Sequence, residues 1–207
     1  MKSSRQVSYD VGVYAGILFF VVSLTKSAQW PFISWLPAAI AAPTPVSALV
    51  HRSTLVTAGV WLIIRFGQTL AMFSHICFVL GLTTLSVAGL AAMLETDSKK
   101  VVALSTLSQL GLMVFSLSLG NVILCFFHVV THALSKANLF LVVGGLLYSH
   151  FSQQDSRFIS SGGISFISAL SGTIRIVGLS GFVFSSGFYS KELVLYRHYF
   201  CFSRTRV

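Results

Sequence analysis

Charge is what this sequence has least of. Only 9% of its 207 residues are Asp, Glu, Lys or Arg, against roughly 25% in an ordinary soluble domain. A water-soluble globule of this length cannot cover itself with so few charged groups. Carboxylates are scarcer still: five Asp and Glu stand against fourteen Lys and Arg, for a net charge of +9. The basic residues are scattered along the chain rather than gathered on one face, which excludes a nucleic-acid interface. The three cysteines, Cys77, Cys125 and Cys201, lie far apart with no CxxC. That is too few for the four thiolates of an iron–sulfur cluster, and it implies no disulfide framework. Proline occurs at just four positions, Pro31, Pro37, Pro43 and Pro45, so most of the chain is free to be helical.

What fills the space is apolar. Hydrophobic residues make up 55% of the chain, 18 Phe among them, which excludes disorder. At about 20 apolar residues per span, the length accommodates six or seven membrane helices. The reading is an all-α, polytopic transmembrane helix bundle: a single transmembrane region over 1–207, with no soluble domain.

A short apolar helix over 11–25 follows Lys2 and Arg5. It carries no small-x-small cleavage site and so is not a signal peptide. The proline cluster over 30–45 predicts a first broken element, because irregular backbone at membrane depth is tolerated only inside protein or beside a wet cavity. Helices are expected at 46–66, 71–94, 101–119 and 122–148, the last two joined at Gly120-Asn121. A polar loop over 150–163 precedes a final apolar stretch, 164–202, interrupted at Ser185-Ser186-Gly187 as a second broken helix.

Ionisable groups inside such spans are costly and mark function by default. His128, His132 and Lys136 are spaced by four and eight residues, turning by about 40° and 80° at 100° per residue, so they share one face over about 12 Å. That is the ladder a proton relay needs; helix–helix hydrogen bonding is the plainer alternative. A third reading adds Cys125 to His128 and His132 as ligands for a soft divalent metal, although no fourth ligand is evident. Lys26 lies where a helix gives way to the prolines. Lys191, with Glu192 beside it, follows the second break, and snorkelling to a headgroup is the plain alternative for each lysine. His51 and Arg52 add polarity near the start of the second helix. Arg175 suits a structural ion pair better than a role in transfer. Broken helices with charged groups at mid-membrane belong to ion transporters, and the residues alone lead to a proton or cation pathway.

Four stretches carry a resemblance: SAQWPFISWLPAAIAAPTPVSALVHRSTLVTAGVWLIIRF (27–66), FFHVVTHALSKANLFLVVGG (126–145), QQDSRF (153–158) and SGFYSKELVL (186–195). In this order they resemble the antiporter-like, proton-pumping subunits of respiratory complex I, most of all the distal subunit of the membrane arm. The resemblance implies a proton pathway through Lys26, His51, His128, His132, Lys136, Lys191 and Glu192, driven by quinone reduction in another subunit. It implies no cofactor on this chain, with NADH, FMN, iron–sulfur clusters and ubiquinone held elsewhere in the complex. The partners it implies are other membrane-arm subunits and membrane lipids, in the mitochondrial inner membrane or, in a prokaryote, the plasma membrane.

The pattern also departs from that family. The chain begins just before what resembles the family's seventh helix, and neither the glutamate-bearing first half nor the long lateral helix is present. A partial or split version is expected, with separate chains supplying the first helices and the C-terminal part. Arg52 stands where many members have a small residue, and Ser135 where Phe is usual. Two other readings stay open: the large subunit of a multisubunit cation/proton antiporter, which shares the 27–66 element, and a structural remnant that moves nothing.

Overall fold

Long apolar stretches without interior proline become helices, and the polar and glycine-containing segments between them become turns. A computed structural model describes residues 2–38, 55–67, 71–150, 153–158 and 165–204. In chain order the α-helices are α1 (Lys2–Lys26), α2 (Trp35–Ala38), α3 (Leu55–Arg65), α4 (Ser74–Leu94), α5 (Ser98–Ser118), α6 (Val122–Ser149), α7 (Phe166–Ser180) and α8 (Ser186–Arg204). Single 3₁₀ turns lie at Ala71–Phe73 and Ser156–Phe158. Among the described residues three helices, α4, α5 and α6, are long and apolar enough to cross a membrane, and the shorter apolar helices are Val13–Lys26, Leu55–Arg65 and Phe166–Ser180. The chain is an all-α membrane protein.

Two boundaries differ from expectation. Helix α1 begins nine residues before 11, at Lys2; its polar start contains no proline or glycine to stop a helix, so the helix outruns its apolar part. The second break covers 181–185 rather than 185–187. Gly181, at φ 84°, closes α7 in the left-handed conformation that glycine adopts at no steric cost. Ser185 Oγ then accepts the backbone N–H of Phe188 at 3.2 Å, a serine cap that starts α8. The expected first break is visible in part: α1 stops at Lys26, Ala28 takes φ 51°, and the Trp35 indole N–H of α2 donates back to the Thr25 carbonyl at 3.1 Å.

Helix α5 is the central element, with more than half of its apolar window buried. It packs on α4 through facing glycines. A Cβ on Gly81 would lie 2.8 Å from the Phe115 backbone nitrogen, and one on Gly111 would lie 2.6 Å from Thr84 Oγ1. Small residues at such crossings let backbones approach, which is how membrane helices associate without a hydrophobic driving force. The other face of α5 meets α6, and α6 in turn packs against α7 and α8. Gly120, at φ 76°, makes the tight turn between α5 and α6. Leu107, Leu110, Met113, Val114, Cys125 and Phe140 form the buried centre of these helices.

Candidate functional site

Helix α6 turns one face inward, and on that face are His128, His132 and Lys136, at 2%, 2% and 3% exposure. Their fourfold spacing aligns them on one stripe. Helix α5 supplies the facing groups. Lys136 Nζ donates to Ser105 Oγ at 2.6 Å and to the Val102 carbonyl at 3.2 Å. His128 Nε2 faces Gln109 Oε1 at 3.2 Å, and Nδ1 faces Ser190 Oγ of α8 at 2.9 Å. The His128 and His132 rings stack with centroids 6.1 Å apart and planes 28° from parallel. Lys191, also on α8, donates to the Leu179 carbonyl. That carbonyl is free because α7 ends at Ser180 and no further turn of helix follows to supply its N–H.

These contacts define what the site can do with a proton. Gln109 Oε1 can only accept, so Nε2 of His128 carries a hydrogen. When the ring is neutral, Nδ1 is an acceptor and the Ser190 hydroxyl donates to it. When the ring is protonated, Nδ1 donates, and the hydroxyl must turn to another acceptor. The Gly187 carbonyl is that acceptor, at 3.2 Å. One hydroxyl thus has two positions keyed to the charge on His128, and Gly187 lies in the first turn of α8, next to the break. Beside it, both ring nitrogens of His132 are buried without a hydrogen-bond partner among the described residues, an open relay position between His128 and Lys136. Charges on neighbouring rungs about 6 Å apart repel strongly in a low-dielectric interior, so occupancy of one rung opposes occupancy of the next.

The structure therefore brings together His128, His132, Lys136 and Lys191 from the candidate list. It does not bring Lys26 to them: that side chain is exposed at the end of α1, which packs on α3. Glu192 is exposed on the outer side of α8, a turn of about 100° from Lys191. His51 and Arg52 lie outside the described residues. The Cys125 thiol points at the Met113 carbonyl, 3.5 Å away, rather than toward the histidines. Ser105, Gln109 and Ser190 are residues of the candidate site that sequence reasoning missed. Ser105 and Gln109 carry a signal, since with Val102 they fall at helical spacing on one face of an apolar span. Ser190 sits inside the SGFYSKELVL stretch without being singled out.

A family model described as NADH:quinone oxidoreductase/Mrp antiporter, transmembrane, matches residues 5–203. The chain belongs to this family. NADH-ubiquinone oxidoreductase chain 5 of Lumbricus terrestris is 47% identical over 190 residues, which cover 90% of this chain and 33% of the relative. The protein of the same name from Anopheles arabiensis is 51% identical over 184 residues, covering 87% of this chain and 48% of the relative. The chain thus spans between a third and a half of the length of these two antiporter-family relatives. Among solved structures, the Mrp complex from Dietzia sp. DQ12-45-1b superposes with a TM-score of 0.79 at 31% identity, over 90% of this chain and 21% of that one. An archaeal respiratory membrane complex, the membrane-bound sulfane sulfur reductase, shares the fold, with a TM-score of 0.75 at 20% identity over 94% of this chain and 50% of that one.

Proposed function

We propose that this chain is part of a proton-translocating, antiporter-like subunit of respiratory NADH:ubiquinone oxidoreductase. One observation carries the reading: four titratable side chains, His128, His132, Lys136 and Lys191, are gathered at a helix break, hydrogen-bonded to hydroxyl, amide and carbonyl groups or left open. Among the described residues the one ion pair, Lys100 with Asp97, lies away from them. Groups that served only as structural glue would be paired off, whereas His132 has no hydrogen-bond partner among the described residues. Protons pass along the α6 stripe, and Lys26, His51 and Glu192 are further members of the pathway. The chain binds no cofactor. Its partners are the other membrane-arm subunits, which hold NADH, FMN, iron–sulfur clusters and ubiquinone, together with chains that complete the subunit, in the mitochondrial inner membrane. Moving a charge across the membrane costs ~2.3 kcal/mol per 100 mV, and redox chemistry elsewhere in the complex supplies it.

The likeness to the Mrp complex supports a second reading, a cation/proton antiporter subunit, in which the same stripe exchanges protons for a metal cation. Lys136→Ala in the assembled complex separates the readings. Under the respiratory reading it abolishes proton transfer coupled to NADH oxidation while the subunit content stays intact. Cation-dependent proton exchange without NADH oxidation would favour the antiporter. Unchanged pumping per complex would remove both and leave a scaffold.

A further inference from the structure

Both hydrogen-bond neighbours of His128 are groups that work in either direction. The Ser190 hydroxyl, 2.9 Å from Nδ1 of the ring, can donate or accept. Gln109 of α5, whose Oε1 is 3.2 Å from Nε2 of the ring, can do the same, because half a turn of its amide puts an N–H where the oxygen stood. A carboxylate in that place would only accept and an ammonium would only donate, so either would hold the ring in one tautomer. Gln109 is half-buried. Among the described residues no other hydrogen bond holds its amide, so turning it breaks no second bond.

Two hydrogen-bond patterns follow, and each satisfies both ring nitrogens. In the first, Nε2–H of His128 donates to Gln109 Oε1, and the Ser190 hydroxyl donates to Nδ1. In the second, the turned Gln109 amide donates to Nε2, Nδ1–H donates to Ser190 Oγ, and that hydroxyl donates to the Gly187 carbonyl, 3.2 Å away. The ring carries one proton in each. The two differ by what a single proton passage does: one proton is taken up at Nδ1 and another is given up from Nε2. Glutamine does not titrate and cannot take the departing proton. His132 can. Its ring stacks on His128 with centroids 6.1 Å apart, and neither of its nitrogens has a hydrogen-bond partner among the described residues. With the amide unturned, that passage would set the bare Nε2 of His128 against the Gln109 oxygen, two acceptors facing each other where His128 is buried. An unmet pair of that kind is costly in a low-dielectric interior.

We propose that Gln109 is a positioning residue that holds His128 in either tautomer, its amide turning with each proton that crosses the ring. The inference rests on the reading above that protons pass along the α6 stripe. Gln109 carries no proton itself; it leaves neither end state of the ring with an unmet partner, so neither becomes a trap. A glutamine that merely joined α5 to α6 would be replaced without loss by any group of its shape that keeps the bond.

The test uses the assembled complex in its membrane, with nitrogen-isotope-labelled histidine, and the His128 signals are assigned by their loss in His128→Asn. Solid-state magnetic resonance then distinguishes protonated from bare ring nitrogens. The parent is expected to show both neutral tautomers of His128. Gln109→Glu keeps the shape but only accepts once ionised. It is expected to leave only rings protonated at Nε2 and to lower proton transfer per complex about tenfold or more, because the imidazolium it favours is held in a buried ion pair. Gln109→Met, which keeps the length and removes the bond, is expected to retain both tautomers and to slow transfer less than Gln109→Glu does. A single neutral tautomer in the parent would overturn the proposal, and that measurement needs neither Gln109 variant to assemble. Proton transfer as fast in Gln109→Glu as in Gln109→Met would overturn it too. Unchanged pumping in Lys136→Ala would remove the functional reading while leaving the tautomer populations as measured, so the two failures are distinguishable.

Discussion

Ser105 holds the shortest contact to Lys136, and it is a hydroxyl rather than a carboxylate. A neutral acceptor solvates an ammonium while leaving it able to give its proton up. A carboxylate at that place would form an ion pair that is costly to break inside the membrane. Removing the hydroxyl should therefore slow the relay without dismantling it. Hydrogen bonds between membrane helices are worth about 0.6–1.7 kcal/mol, so Ser105→Ala is expected to lower proton transfer per assembled complex roughly three- to eighteenfold. Ser105→Thr, which keeps the hydroxyl, should stay close to the parent rate. Proton flux in reconstituted vesicles, normalised to subunit content, measures both; equal rates for the alanine variant and the parent would show that Lys136 uses another acceptor. The stripe of His128, His132 and Lys136 was legible in the sequence because helical periodicity on one element needs no tertiary information. The partners on α5 and α8 were not, since the choice of helix facing the stripe is made by packing. Lys26 and Glu192 show the opposite limit: both stood in the right motif, and the described structure leaves both pointing outward.

The elements themselves were read well wherever an apolar run ended in a polar turn. The expected 101–119 and 122–148 segments fall within a few residues of α5 and α6. Ends set by backbone conformation were harder, as at Gly181, where a left-handed residue closes α7 four residues ahead of the expected interruption. Helix crossings were legible only as an abundance of small residues. Structure distinguishes among the glycines: Gly111 is in contact with α4, whereas Gly145, on the exposed part of α6, has nothing within 4 Å of its would-be Cβ. The same substitution should thus act with opposite sign at the two sites. Gly145→Ala removes a flexible residue from a helix interior and is expected to gain about 0.5–1 kcal/mol. Gly111→Ala forces a methyl to within 2.9 Å of the Gly81 carbonyl oxygen and 2.8 Å of the Leu85 nitrogen. Backbone atoms there cannot step aside, so a loss of about 1–3 kcal/mol is expected. The thermal midpoints of the purified complex carrying each variant decide this, and a shift of the same sign in both would show that the α4–α5 crossing is looser than the structure has it.

Across the whole molecule, α4, α5 and α6 are tied at both ends. At one end the His198 ring of α8 stacks with Phe78 of α4, centroids 5.9 Å apart, and meets Phe115 of α5 at a tilt of 42°, centroids 5.5 Å apart. At the other end the α4–α5 turn pairs with the loop after α6. Asp97 and Asp155 form an antiparallel bridge, Ser98 N–H donates to the Gln154 carbonyl, and Ser156 N–H donates to the Thr96 carbonyl, both at 3.2 Å. Lys100 Nζ sits 2.5 Å from Asp97 Oδ2. Hydrogen bonding from Lys100, with a second contribution from Asp155, holds the Asp97 carboxyl below its ordinary 3.8. A carboxyl whose pKa is depressed by folding adds stability above its unfolded value and loses it as pH falls through the folded one. The clamp is therefore at full strength at neutral pH and weakens only below about pH 4. An exposed pair of this kind contributes little because solvent screens it, so Asp97→Asn is expected to reduce amide protection at Ser98 and Ser156 only severalfold at pH 7. It should also remove the acid dependence of that protection. Hydrogen exchange on the two amides, in parent and variant from pH 3 to pH 7, reads this directly. Protection in the parent that is flat across that range would mean the backbone bonds alone hold the two loops together, with the Asp97–Lys100 pair a bystander.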